Sequence, residues 1–335
     1  VVRIYGFDRV PATLPNTTVR PTSRADQRRV RSHKAMINSG YSESLTYGFT
    51  SPKRIGDLGL PEGDPRCSPI AIDNPMTVEQ SVMRTSLWPN LLAALSHNKK
   101  RDVRDVRLFE LGHVFLRSGP EAELPDEPLQ LCAVLAGCKD GWLRPGAEVD
   151  FYDAKGAAMA VLRGIYGDDE GFEFRPEPTA TPLHPGISAG IFNKSGVEIG
   201  CVGEVHPHVR KAYEIDGLVF GFELSIDSMA VPGDGQMKAI PRYPAVTRDI
   251  SMMLSAATPA SQVVGIIGDC SEALVSQVQV LEDYRDPAHV PEGKKGMLWS
   301  ITYRAPDRTL TDREVDAAHE PIVEKLLASL QASRR

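Results

Sequence analysis

The chain has 335 residues, of which 41% are hydrophobic and 24% charged, and its formal net charge is −6. That length suggests two or three domains with ample apolar material for cores. The negative charge excludes a uniformly basic nucleic-acid binder, so any RNA contact must be local. No run approaches the roughly 18 apolar residues of a membrane span and no signal peptide opens the sequence, so a cytoplasmic protein with no membrane partner is expected. Five cysteines (Cys67, Cys132, Cys138, Cys201 and Cys270) form no CxxC pair. They are expected to be reduced and mostly buried, with no disulfide framework and no zinc. The sequence opens Val1-Val2 rather than with Met, as a piece of a longer chain would.

In chain order, Arg3-Ile4-Tyr5-Gly6-Phe7-Asp8-Arg9-Val10-Pro11 reads as a helix end stopped at Gly6 and followed by extended chain to Pro15. Residues 23–39 predict a helix with Ser23 as cap, Asp26 at the capping-box position and Gly40 as stop. Val30, Met36 and Ile37 give it a partial apolar face, while Arg24, Arg28, Arg29, Arg31 and Lys34 cover the rest. A solvated surface helix and an RNA-phosphate contact are both open for it. Residues 41–49 alternate and are rich in Thr and Tyr, as a strand would be. Residues 51–66 read as a loop or short helical excursion.

The stretch from Asp73 to Gly112 organises the rest. Asn74-Pro75 forces a turn. Leu87, Leu91, Leu92 and Leu95 follow Arg84-Thr85-Ser86 at helical spacing, and residues 106–115, containing Phe109-Glu110-Leu111-Gly112, make a strand that a sheet buries on both faces. After an acidic loop at 118–128, residues 129–137 predict a strand and 149–166 a helix, with Asp153, Ala157, Val161 and Ile165 on one face. Leu183-His184-Pro185-Gly186 and Gly200-Cys201-Val202-Gly203-Glu204-Val205-His206-Pro207 predict a hairpin around Lys194-Ser195-Gly196. Residues 218–224 are a further strand, and Val231-Pro232-Gly233-Asp234-Gly235 a linker. Beyond it, strands at 249–254, 274–284 and 296–303, a helix from Thr258-Pro259 to Gly268 and a last helix opened by the box Thr311-Asp312-Arg313-Glu314 make a split βαβ plan. Pro321 is expected to kink or restart the last helix, and little chain remains for a fourth strand.

The unit from Asp73 to Gly112, with the words around His184 and His206, resembles the central module of the beta subunit of bacterial phenylalanyl-tRNA synthetase. That module has the class II synthetase fold without its activity. Residues 240–335 resemble the ferredoxin-fold anticodon-binding domain that ends the same subunit. The carrying residues are Arg242-Tyr243-Pro244-Ala245-Val246-Thr247-Arg248-Asp249, Pro291-Glu292-Gly293-Lys294-Lys295 and residues 302–312. The resemblance implies an α+β chain in four parts: the tail of a preceding domain and a linker (1–20), a class II synthetase-like non-catalytic module with an antiparallel sheet (21–231), a linker (232–239), and the anticodon-binding domain (240–335). It further implies partnership with a catalytic alpha subunit in an alpha2-beta2 assembly, with 23–39 as the helix packing on that subunit, and binding of tRNA(Phe). ATP and magnesium serve the whole enzyme, and no cofactor belongs to this part.

An active class II enzyme carries a nucleotide-binding arginine after the strand matching Gly221-Phe222-Glu223-Leu224. Here Ser225-Ile226-Asp227-Ser228-Met229 follows, so no adenylate chemistry is expected. Residues 240–335 hold 11 Lys and Arg against 13 Asp and Glu, and charge alone does not suggest RNA. The expected tRNA-binding set is Arg242, Tyr243, Arg248, Glu282, Lys294, Lys295, Tyr303, Arg304 and Arg308, in which cations meet phosphate and rings stack on bases. Leu281-Glu282 stands where the family has Phe-Asp, and Gly296 where it has serine, which bears on base readout.

Other motifs have plainer readings. Gly186-Ile187-Ser188-Ala189-Gly190 fits a nucleophile elbow but lacks the strand-turn-helix setting, so a hydrolase is not expected. His184, His206 and His208 lack further ligands at metal spacing. Glu110 and Glu204 are expected to make structural hydrogen bonds rather than an acid-base pair. Lys99-Lys100-Arg101 with Arg104 and Arg107 is interleaved by Asp102 and Asp105 and reads as a solvated face. An RNA-binding or assembly module unrelated to aminoacylation is the alternative function.

Overall fold

In the computed structural model the described residues are 2–11, 13, 23–119, 124–139, 146–167, 171–176, 182–229, 240–270 and 273–334, excepting the side chains of residues 2 and 24–26. The chain divides into two compact units, Val1–Gly235 and Gln236–Arg335. The expected linker at 232–239 lies outside the described residues.

The first unit opens with α1 (Val2–Tyr5), and Gly6 breaks it at φ 98. Next, α2 (Arg24–Asn38) ends at Gly40, whose φ of 80 suits only glycine. Of its expected apolar face only Met36 is buried, while Val30 and Ile37 are about half exposed. Where one strand is expected, β1 (Ser42–Glu43) and β2 (Phe49–Thr50) stand apart. The intervening residues are tied to side chains instead of a ladder. Thr46 bonds the Glu110 carboxylate, and the Asn90 amide donates to the carbonyls of Tyr47 and Phe49 at 2.9 and 3.2 Å.

Ser51 caps α3 (Pro52–Gly56), and β3 (Val82–Met83) pairs with β2. After them come α4 (Trp88–Lys99), β4 (Val106–His113), β5 (Leu129–Ala136), α5 (Phe151–Tyr166), β6 (Phe172–Arg175), β7 (Leu183–Asn193), β8 (Glu198–Val205), α6 (Pro207–Ala212) and β9 (Phe220–Ser225). The strands form a seven-stranded sheet ordered β1-β4-β5-β9-β8-β7-β6, antiparallel except for the β1–β4 edge pair. On one face α5 buries Ala157, Ala158, Val161, Leu162 and Ile165 against Leu131, Ala133, Phe222 and Leu224. Each large aliphatic buried this way contributes about 1.5–3 kcal/mol. Asp153, expected on that face, instead closes a capping box with Asp150. On the other face α4 buries Leu87, Trp88, Leu91, Leu92 and Leu95 against Val134, Cys201 and Val205. Ser188 lies within β7 opposite Gly203, so the elbow motif is strand, without a following helix.

The second unit contains β10 (Val246–Ser255), α7 (Ala260–Gly268), β11 (Val275–Tyr284), β12 (Lys294–Tyr303), α8 (Asp312–Leu330) and β13 (Ser333–Arg334). Its sheet runs β11-β12-β10-β13, the ferredoxin-like order. The fourth strand exists after all: two residues suffice to pair with Met252 and Met253. α8 continues through Pro321 as one helix, opened by the Thr311/Glu314 capping box. Both helices cover one face, where Met297, Trp299, Ile301 and Tyr303 meet Val263, Ile267, Val315, Ile322 and Leu326. All five cysteines are free, and only Cys132 and Cys201 are fully buried. Among the described residues no helix is long and apolar enough to cross a membrane.

Candidate nucleic-acid interface

Alternation along the second unit's strands sorts the nine expected residues onto different surfaces. In β12 the odd residues Met297, Trp299, Ile301 and Tyr303 point to the helices, so Lys294, Gly296, Leu298, Ser300 and Thr302 face the open side. Register extends this face to Thr247, Asp249 and Ser251 on one flank and to Gln277, Gln279, Glu282 and Tyr284 on the other. Two irregularities in β11, between Val275 and Gln277 and between Val280 and Glu282, set which of its residues turn outward.

Lys294 and Glu282 of the expected set stand on this open face, both exposed. Arg242 is exposed and Tyr243 half-buried just before β10, while Arg304 is half-buried just after β12, with its Nε buried and unbonded. Arg248 lies on the helix side and is clamped by Asp312 at 2.8 Å and Asp316 at 2.9 Å. Arg308 donates to Glu314 at 2.6 Å. The backbone N–H of Thr311, Arg308 and the Thr311 hydroxyl together hold the Glu314 carboxyl at a pKa of about 2.

Two of the nine do not reach the surface. Tyr303 is fully buried, with its hydroxyl 2.9 Å from His319 Nδ1, and Lys295 is 4% exposed beside Asp283 at 3.4 Å. Their strand parity turns them inward, so a base cannot stack on Tyr303 in this structure. The ring that shares the open face is Tyr284, opposite Gly296, its hydroxyl bonded to Asp286 at 3.0 Å and in reach of His289. Sequence reasoning missed Tyr284, Gln277, Gln279, Ser300 and Thr302. For Ser300 and Thr302 the signal was available, since their parity is opposite to that of Trp299 and Ile301, whereas in β11 the two irregularities hide it. Amides and hydroxyls both donate and accept, so this face offers base edges hydrogen bonds rather than a field of positive charge.

The first unit holds a buried polar row. Glu110, Cys132, Glu223 and Cys201 are direct cross-strand neighbours on β4, β5, β9 and β8. Arg84 Nη1 meets Glu110 Oε1 at 2.5 Å and Thr46 Oγ1 at 3.1 Å, and its Nε donates to the His113 carbonyl at 2.8 Å. A Cβ on Gly112 would overlap the Arg84 guanidinium, which explains the glycine closing Phe109-Glu110-Leu111-Gly112. Thr85 Oγ1 donates to the Arg66 carbonyl at 2.7 Å, and Ser86 Oγ to Glu223 at 3.2 Å. Arg66 forks onto Asp64 at 2.9 and 2.7 Å and lies 3.9 Å from Glu223. Burial outweighs these partners and raises the Glu223 carboxyl above its ordinary value. Glu204 has its own arginine, Arg210, at 3.2 Å, so Glu110 and Glu204 are two separate ion pairs rather than paired carboxylates.

This row does not suit ATP or magnesium. Its two arginines are already spent on internal carboxylates, and among the described residues no three His, Cys, Asp or Glu side chains gather to hold a metal ion. The rings of His184 and His206 are stacked 5.8 Å apart, and each Nδ1 accepts a backbone N–H at 3.1 Å, from Gly186 and His208. They fasten two His-Pro turns.

The family model described as phenylalanyl tRNA synthetase beta chain CLM domain matches residues 10–226, and that described as ferredoxin-fold anticodon binding domain matches 241–335. The chain belongs to the phenylalanyl-tRNA synthetase beta-chain family. Similar members include the phenylalanine–tRNA ligase beta subunit of Moorella thermoacetica, 38% identical over all of this chain and 42% of that protein. Those of Syntrophotalea carbinolica and Symbiobacterium thermophilum are 36% and 33% identical, over 100% and 98% of this chain and 42% and 37% of theirs. The chain thus spans about two fifths of the length of these beta-chain relatives. A solved pyrrolysyl-tRNA synthetase from Desulfitobacterium hafniense aligns at 16% identity and TM-score 0.46, over 61% of this chain and 67% of that one.

Proposed function

We propose that this chain is a non-catalytic part of a phenylalanine–tRNA ligase beta subunit, which supports the catalytic alpha subunit in an alpha2-beta2 assembly and holds the anticodon region of tRNA(Phe) in the cytoplasm. The observation that carries the RNA half is the open sheet face of the ferredoxin-fold unit. It combines Tyr284 for stacking, a field of Gln, Ser and Thr for base edges, and the cation Lys294, with Arg242 exposed just before β10. Arg248 and Arg308 serve α8 first, through Asp312, Asp316 and Glu314.

The scaffolding half rests on exposed apolar side chains in the first unit. Leu45, Tyr47, Met76 and Val78 are 70–93% exposed, and Val30 and Ile37 lie seven residues apart on the outer side of α2. Large apolar groups left open in this number support a surface that a partner covers. On this reading ATP and magnesium belong with the alpha subunit. The test is reconstitution with a purified alpha subunit. A stable complex that Leu45→Asp or Met76→Asp disperses supports the reading, and an alpha subunit that ignores the chain refutes it.

A further inference from the structure

A cleft of about 320 Å³ opens in the first unit where α3, the C-terminal half of α4 and the end of α6 meet. Lys53 and Arg54 come from α3, Ser96 and His97 from α4, and Lys100 and Arg101 from the turn that ends α4. Tyr213 closes the floor, its hydroxyl donating to the Arg54 carbonyl at 2.6 Å and so tying α6 to α3.

Four cations line this cleft against two carboxylates, Asp57 and Glu214. Each carboxylate takes one lysine. Lys53 is 3.0 Å from Asp57, and Lys100 bonds Glu214. The lysine side chains are 80% and 54% exposed, so these are surface pairs that exchange partners readily. Arg101 donates to the His97 carbonyl at 3.2 Å, while the Arg54 guanidinium and the Ser96 hydroxyl make no hydrogen bond among the described residues. Ser96 is 6% exposed and lines the cleft, a small polar side chain among the cations.

Unusual backbone follows α4 and α6, at Asp102 and at the cleft-lining Glu214. Asp102 and Glu214 have φ of 62 and 55, and neither is glycine. Each closes a helix, with Val103 N–H returning to the Asn98 carbonyl and Ile215 N–H to that of Arg210. Left-handed non-glycine residues persist where the surroundings over-determine them, and here that conformation sets the Glu214 carboxylate on Lys100.

We propose that this cleft binds a phosphate group, with Arg54 and Ser96 as standing donors and Lys53 and Lys100 turning to the ligand as it displaces Asp57 and Glu214. A forked guanidinium, a hydroxyl and mobile ammonium groups match a tetrahedral oxyanion. Tyr213 is 7% exposed and offers no open ring face, so the cleft reads the phosphate and not a base. The phosphate belongs either to an RNA backbone or to a small phosphate ester, and the two sources separate experimentally.

The experiment uses the whole 335-residue chain, ¹⁵N-labelled and titrated with inorganic phosphate while the Arg54, Ser96 and His97 resonances are followed. In parallel, tRNA(Phe) and an anticodon-substituted transcript are titrated over a range of salt. Saturable shifts confined to the cleft, weakened about tenfold in Arg54→Ala and partly restored in Arg54→Lys, are expected. If Arg54→Ala also weakens both tRNAs equally and lowers the salt slope by about one, the phosphate is that of RNA backbone. Unchanged tRNA binding with lost phosphate binding assigns a small phosphate ester. Because both transcripts respond alike, this outcome is independent of anticodon reading. The proposal is overturned if wild type shows no saturable shift at the cleft, or if wild type and Arg54→Ala titrate identically while Arg54→Ala keeps the native spectrum elsewhere.

Discussion

Replacing Glu110 by alanine leaves the Arg84 guanidinium inside the first unit with only neutral acceptors, the Thr46 hydroxyl at 3.1 Å and the His113 carbonyl at 2.8 Å. Arg84 is 6% exposed and Glu110 2%, so water cannot replace the lost carboxylate without opening the sheet edge. Stranding one member of a buried pair costs about 3–5 kcal/mol, a third or more of the stability of many domains. Replacing both, as Arg84→Met with Glu110→Leu, removes the charge and its desolvation together and costs far less, or even stabilises. The assay is urea unfolding followed by hydrogen exchange and mass spectrometry, which reads peptides of β4 and β5 separately from those of β10 and β12. The expected result is a large loss of protection in the first unit for Glu110→Ala, a small one for the double variant, and no change in the second unit. A single variant costing under about 1 kcal/mol, or a double variant as damaged as the single, refutes the reasoning that this row is a closed internal pairing.

Three further outcomes follow from the same geometry. The Glu223 carboxyl is raised above its ordinary value of 4.5, chiefly by burial, so the folded state prefers it protonated and loses stability as pH rises from about 4.5 through the raised value. Glu223→Gln should therefore gain on wild type across that window in pH-dependent denaturation, and a constant difference would contradict the cause given. Glu314 is shifted the other way, to about 2, so its stabilisation of α8 is present above pH 4.5 and lost as pH falls toward 2. In Glu314→Gln the second unit should lack this acid-side loss. Tyr303→Phe removes a buried hydrogen bond to His319, costing about 1–3 kcal/mol of stability with unchanged tRNA affinity, whereas Tyr284→Ala should weaken tRNA by about 1–3 kcal/mol. The reverse pattern would move the interface off the open face.

Much of the fold was legible because it rests on local rules. The Thr311/Glu314 capping box, the turn at Gly196 and the strand at 129–137 follow from spacing and residue type, and all stand in the structure. Two elements were illegible because tertiary contacts override pattern. The strand at 41–49 breaks where Asn90, Arg84 and Glu110 capture its backbone and side chains, and none of those partners is near in sequence. The final strand is two residues long and exists only because β10 presents a free edge to it. In the candidate site, residue types did not show which side of the sheet each side chain takes. Tyr303 and Lys295 entered the expected set through the family resemblance and turn inward by parity, while Tyr284 was passed over although its register with Gly296 turns it outward. Arg84-Thr85-Ser86 was singled out as the start of a helix, and its three side chains prove to be three separate anchors, onto Glu110, the Arg66 carbonyl and Glu223.

The most direct test of the proposed role is a titration of the chain with tRNA(Phe) and with an anticodon-substituted tRNA at two salt concentrations, in wild type and Tyr284→Ala. The account predicts salt-sensitive binding that is weaker for the substituted tRNA, with Tyr284→Ala erasing most of the difference between the two. Equal affinity for both tRNAs in wild type would contradict anticodon reading by the open sheet face.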